Sequence, residues 1–365
     1  MTREEPGILV GILPDLGSVR AGIPADSCSS CCPWKTMAEP IATPSTDATT
    51  QTLPSIYATL TKIRLSMLVV VTTGVGFITA SVGPLDWVQL FWTLAGTMAC
   101  ACSASGLNQV VEARRDALME RTRNRPMPTG AISPQHGWIF SMLLGYAGLC
   151  LLVAFVPLPA AGLALLTMLI YVLLYTPMKL RTSLNTLVGS VVGAIPPMIG
   201  WVAAGGSFSM GAWILAALLF VWQLPHFLSL AWLYREDYAR AGFKMLPGIR
   251  GGERITCEVV LLTTLLLVPL SLTATMVGMA GILYAVVSLV LGIGFLFMAF
   301  AFFRRPTRTS ARRVFLASLM YLPILLGALV VDHRTPPPGS GILTLQPVPD
   351  TAAVKTPETR KPDGS

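Results

Sequence analysis

Apolar residues in this chain neither alternate nor keep to one face of a helix; they run on in blocks. Nine such stretches, over 65–82, 87–107, 137–155, 159–176, 185–204, 210–232, 257–279, 281–303 and 313–331, carry almost no charge. A helix that is apolar all round belongs in a core or a bilayer, and about 20 residues span the hydrocarbon layer. The pattern therefore predicts an all-α polytopic membrane protein of about nine transmembrane helices. Residues 1–55 are rich in Pro, Ser, Thr, Gly and Ala, and residues 333–365 open with HRTPPPGSG. Neither holds a membrane-length run, and both are expected to be disordered, leaving 56–332 as the membrane domain. The leader lacks the apolar core of a signal peptide. Its Glu4, Glu5 and Asp15 are unlike an acid-poor transit peptide, so a bacterial plasma membrane is expected rather than the mitochondrial inner membrane.

Charge sharpens this picture. Only 12% of residues are charged and the net charge is +8. A basic soluble protein would raise the question of nucleic acid, but here the cations sit between the apolar blocks. Lys62 and Arg64 precede the first. Arg114, Arg115, Arg121, Arg123 and Arg125 follow the second, and Lys179 and Arg181 follow the fourth. Arg235, Arg240, Lys244, Arg250 and Arg254 follow the sixth; Arg304, Arg305, Arg308, Arg312 and Arg313 follow the eighth. The other connections carry none. Such alternation is the positive-inside pattern. It predicts that the basic loops and the chemistry face the cytoplasm, and no nucleic-acid partner is expected. Cys100, Cys102 and Cys150 lie in apolar runs as small packing residues, while CSSCC at 28–32 lacks the second pair or His of a metal site.

Chemistry concentrates in two of the basic loops. In NQVVEARRDALMERTRNRP, residues 108–126, Asn108, Glu112 and Asp116 are spaced i, i+4, i+8 and share one helical face. Oxygen ligands on one face at a membrane mouth suit Mg²⁺, a hard ion that shares its shell with substrate phosphates, and arginines supply phosphate contacts. The same pattern also fits a solvated helix end stitched by ion pairs. After the sixth block, WQLPHFLSLAWLYREDYARAGFKMLP offers Glu236 and Asp237 among Arg235, Arg240 and Lys244. Two such clusters could hold two faces of one diphosphate through Mg²⁺. His226 and Gln223 precede this cluster beside Pro225. An intramembrane His is a functional candidate, for a propionate or a haem iron, or else a partner of a helix carbonyl freed by Pro225. Lys179, Arg181 and Asn185 gather at the mouth of the fifth helix. Its Gly189, Gly193 and Gly200 allow close packing or room for a flat ligand.

Four pieces of sequence resemble the UbiA-type membrane prenyltransferase superfamily, which includes the 4-hydroxybenzoate polyprenyltransferases. They are TKIR at 61–64, the 108–126 stretch, YTPMKLRTSLN with GAIPPMIGW within 175–201, and the 222–247 stretch. The NQ…E…D and PHF…DY…MLP patterns are similar to its haem-farnesylating branch, where Glu112 stands at a position usually held by Asp elsewhere. The resemblance implies a nine-helix bundle around a central cavity, farnesyl diphosphate and haem b as substrates, Mg²⁺ as cofactor, and haem O as product, passed to a haem A synthase. It implies Asn108, Glu112, Asp116 and Asp237 as metal ligands. Catalysis would fall to Asp116, Glu112, Asp237 and Lys179, and diphosphate binding to Arg64, Arg121, Arg125, Lys179, Arg181 and Lys244. Haem would meet His226, Gln223 and Tyr234. Ile63 departs from the Pro usual in the opening TKPR. The rival readings are a quinone- or chlorophyll-type prenyltransferase, a haem-binding assembly protein, and a secondary transporter. Transporters keep their charges near the midplane, whereas these charges sit at the mouths.

Overall fold

The computed structural model describes residues 52–334, so the Cys28, Cys31 and Cys32 cluster lies outside the described residues. The helices, in order, are α1 (Leu53–Leu60), α2 (Ile63–Ala80), α3 (Trp87–Asp116), α4 (Pro134–Phe155) and α5 (Leu158–Leu169). A π-helical stretch, Ile170–Tyr175, leads into α6 (Thr176–Arg181). There follow α7 (Asn185–Ala203), α8 (Met210–Leu233), α9 (Arg235–Arg240), α10 (Gly252–Met276), α11 (Ile282–Arg304) and α12 (Arg308–Val331). Among the described residues nine helices are long and apolar enough to cross a membrane, α5, the π-stretch and α6 counting as one. Among the described residues there is no β-strand; Ala280 and His333 form an isolated bridge. α1 begins three residues before the expected start of the membrane domain, and α3 continues nine residues past its apolar run.

The starts of α3, α4 and α12 are set by side-chain acceptors. Asp86 Oδ1 accepts from the backbone N–H groups of Val88 and Gln89 at 3.0 and 2.9 Å. Ser133 caps α4, and Thr307 with Ser310 forms a capping box on α12, satisfying orphan donors of the first turn. The interior follows from which helices meet. α2, α7, α8 and α12 pack in a cycle, α12 returning to α2. α3, α4 and α5 lie against the α2–α7 side around Phe77, Leu152 and Ile199. α10 and α11 lie against the α8–α12 side around Leu215, Tyr284, Phe302 and Leu325. Leu262, Leu266, Val290 and Phe297 face outward and exposed, as suits an exterior solvated by lipid.

The glycines of α7 serve packing. A Cβ on Gly200 would fall inside the carbonyl of Thr73 on α2, and one on Gly193 would collide with the amide of Gln223 on α8. Overpacking a tight crossing costs about 1–3 kcal/mol. Gly200→Ala is therefore expected to lower the melting temperature of the detergent-purified protein measurably, whereas Gly294→Ala, which meets nothing, leaves it in place.

Candidate functional site: a cation-capped oxygen ladder

α3 carries the expected face. Asn108, Glu112 and Asp116 are 0%, 6% and 1% exposed, one per turn on the same side. Buried charges are costly unless paired, and each rung meets its own cation. Lys62 Nζ donates to Asn108 Oδ1 at 2.8 Å, Lys179 Nζ to Glu112 Oε1 at 2.7 Å, and Arg125 Nη1 to Asp116 Oδ2 at 2.7 Å. The three cations come from three places: the α1–α2 turn, α6, and the loop after α3. The reading of a solvated, ion-paired helix end is thus half right. The pairs exist, but their acceptors on α3 are buried, and the cations come from outside that helix.

Lys62 reaches its rung by an unusual backbone. It is the one non-glycine residue with positive φ among the described residues, at φ 47°, a left-handed conformation that costs an L-residue roughly 1–2 kcal/mol. Burial first, then Arg125 and Lys179, pull its pKa down to about 7. Arg64, expected at the diphosphate, lies exposed on α2 instead. The sequence could not rank these two cations, because the turn that sends one inward is a backbone event. Lys62→Ala is expected to lose activity about tenfold or more, in the range of a lost charged hydrogen bond; Arg64→Ala should stay near wild type, as exposed substitutions do. Turnover assays on both variants check the inversion.

Pro177 explains how Lys179 arrives. Proline cannot donate to the carbonyl four residues back, and its ring crowds that carbonyl. Over Ile170–Tyr175 the helix widens to π register, as inserted turns at functional sites commonly do. The Tyr171 and Tyr175 rings stack at 5.3 Å, and Lys179 Nζ sits 4.6 Å from the Tyr175 centroid while it holds Glu112.

The second cluster folds over the first. Arg115 Nη1 donates to the carbonyl of Ala241 at 2.7 Å, and the backbone N–H of Lys244 to that of Lys179 at 2.8 Å. Met119 packs with Phe243 and Met245. Arg121 lies 5.0 Å from the Tyr234 ring centroid and donates to the Tyr238 hydroxyl. Asp237 is buried and pairs with Arg240, which also reaches Glu120. Among the described residues no three of His, Cys, Asp and Glu gather as a metal group. Asp237 sits on α9, in the segment folded over the ladder, with its charge met by Arg240. The side chains of Arg181 and Lys244 are exposed.

The donors fit a hard ion. They are two carboxylates and an amide oxygen, with no sulfur or imidazole, and such a partial set leaves coordination positions for phosphate and water, as Mg²⁺ prefers.

His226 does not bond a carbonyl freed by Pro225. Its Nδ1 meets Ser318 Oγ on α12 at 2.8 Å, and Ser318 Oγ donates to the Phe315 carbonyl at 2.6 Å. With that single hydroxyl proton used, the imidazole carries its proton on Nδ1 and leaves Nε2 as an acceptor. The ring stacks between Trp222 and Phe315, at centroid distances of 5.1 and 4.9 Å. Trp222 bonds α12 and Gln223 lies on Gly193 of α7. His226, one turn beyond Trp222, faces α12 through Ser318 and Phe315.

The family model described as the UbiA prenyltransferase family matches residues 69–329, and the chain belongs to that family. Within it, the chain is 38% identical over 286 residues to the protoheme IX farnesyltransferase of Solibacter usitatus, covering 76% of this chain and 98% of that one. It is 42% identical over 282 residues to the enzyme of the same name from Opitutus terrae, covering 76% and 95%. Among solved structures, a UbiA homologue from Archaeoglobus fulgidus bound to GPP and Mg²⁺ shares the fold at a TM-score of 0.59 and 14% identity, over 76% of this chain and 100% of that one.

Proposed function

We propose that the chain transfers the farnesyl group of farnesyl diphosphate to a vinyl group of haem b, making haem O, with the basic mouths and the site facing the cytoplasm. The observation that carries this is the buried ladder Asn108–Glu112–Asp116, each rung capped by a cation, in a chain whose relatives carry that enzyme's name. Bound Mg²⁺, held by carboxylate and amide oxygens of the ladder, would supply positive charge to the departing diphosphate. Lys62, Lys179 and Arg125 already surround the ladder and stand ready to donate to phosphate oxygens. Arg121 and Asp237 close over them from the cap.

The reaction breaks the C1–O bond of farnesyl diphosphate and forms a carbon–carbon bond from C1 to the vinyl terminus. The remaining porphyrin-side cation takes the oxygen of water, which gives up a proton. Haem b, farnesyl diphosphate and water thus become a hydroxyethylfarnesyl porphyrin and diphosphate. Donors fixed before charge develops stabilise the leaving group without reorganising, and the apolar helices keep water from the allylic cation. His226 offers Nε2 to the haem, its tautomer held by Ser318 in the way an outer partner fixes a ligating His; Gln223 and Tyr234 are the neighbouring candidate contacts.

The test is reconstitution. Protein in lipid, given haem b, farnesyl diphosphate and Mg²⁺, should yield haem O by mass spectrometry, with EDTA stopping the reaction and added Mg²⁺ restoring it. A protein that prenylates a quinone precursor and leaves haem untouched would overturn the reading. One that binds haem without turnover would support the assembly-protein alternative.

A further inference from the structure

We infer that Thr176 is a positioning residue that sets which atom Asn108 presents to the site. The inference rests on the reading of Asn108 as a ligand of the metal–diphosphate complex. Asn108 is 0% exposed and Thr176 is 2% exposed, so neither has bulk water as an alternative partner.

The chain of bonds has one direction. Thr176 Oγ1 donates to the Tyr171 carbonyl at 2.8 Å, five residues back. The same carbonyl receives the backbone N–H of Thr176. In a regular helix the hydroxyl would reach three or four residues back; the π register caused by Pro177 shifts it by one. A hydroxyl has a single proton and two lone pairs. With the proton on Tyr171, Thr176 has only acceptor capacity left for Asn108. Asn108 Nδ2 accordingly donates to Thr176 Oγ1 at 3.1 Å, and Oδ1 points the other way, to Lys62 Nζ. A flipped amide would set two acceptors, Oδ1 and Oγ1, against each other in a buried place and aim an N–H pair at an ammonium. The π-turn thus does two things for the ladder. It delivers Lys179 to Glu112, and through Thr176 it keeps an oxygen, not an NH₂, on the rung at 108. The bland account, that a helical threonine merely satisfies its own hydroxyl on the backbone, explains the donor bond. It leaves the bond from Asn108 without a role.

The test compares Thr176→Val, Thr176→Ala and Thr176→Ser in the full chain in lipid. Val keeps the shape and loses the acceptor, and Ser keeps the acceptor and loses a methyl, so packing and positioning make opposite forecasts. Mn²⁺ binding is followed by EPR with farnesyl thiodiphosphate, whose C1–S bond resists ionisation. Turnover is read as kcat and as the half-saturating Mg²⁺ concentration. Loss of an outer partner costs about 10–100-fold in metal affinity. Val is expected to weaken Mn²⁺ binding and raise the half-saturating Mg²⁺ by that factor, and Ser to stay within about twofold of wild type. Should Val fail to accumulate, Ala carries the same forecast. Val or Ala binding Mn²⁺ as wild type does, or Ser losing as much as they do, overturns the inference alone. A wild-type protein that holds no Mn²⁺ with the thiodiphosphate overturns the metal reading beneath it.

Discussion

Farnesyl transfer is expected to fall about 10²–10³-fold when Asp116 is replaced by Asn, the size of loss seen when one group stabilising transition-state charge is removed. Asn is close to Asp in shape, so the loss reports charge. Asp116 is 1% exposed and holds Arg125 at 2.7 Å. Neutralising it would take a negative oxygen from the proposed metal site, and it leaves Arg125 without its counter-charge. The Arg125 side chain is 23% exposed, and can turn part of its charge to solvent. The stability cost should therefore fall below the about 3–5 kcal/mol typical of a fully buried broken pair, and the variant should still insert in membranes. kcat under saturating Mg²⁺, beside a melting curve, separates the two effects. Near-normal turnover would remove Asp116 from the metal clamp.

Lys179→Met is the second large effect, and here stability and chemistry fall together. The Lys179 and Glu112 side chains are 11% and 8% exposed, so methionine leaves Glu112 as a buried, unpaired carboxylate. We expect a loss of at least about a hundredfold in turnover and a lower melting temperature. The double variant Lys179→Met/Glu112→Gln replaces both charges, and removing both partners of a buried pair is often close to neutral for folding. Its melting temperature should recover towards wild type while its turnover does not. If turnover recovered as well, Lys179 would be a partner of Glu112 and nothing more.

How much of this was legible in the sequence varies with the range of the physics involved. Spans were legible because lipid demands length and apolar character, both local properties. The ladder was legible because the i, i+4, i+8 spacing of Asn108, Glu112 and Asp116 is a property of one helix. Which cation reaches which rung was not. Lys62 and Arg64 are two residues apart and chemically alike, and the difference is a left-handed turn that nothing in TKIR announces. The π-stretch over Ile170–Tyr175 was equally hidden: Pro177 hints at it, but a proline can also end or kink a helix. Its effect becomes visible only when Asn108, 68 residues from Thr176, is seen beside it. Gly193 and Gly200 left packing and a flat ligand as alternatives, and only the positions of Gln223 and Thr73 decide for packing.

The bond between the Lys244 N–H and the Lys179 carbonyl joins two stretches of main chain, near the end of α6 where carbonyls lack helical donors. No exchange of side chains at either place, short of proline at 244, can delete it. The spacing from the end of α8 to residue 244 matters instead. One inserted or deleted residue early in that spacing would slide a different amide opposite Lys179 and carry Tyr238 and Arg240 out of register with Arg121 and Glu120. Over this site the connection behaves as a ruler: spelling can vary along it, but length cannot.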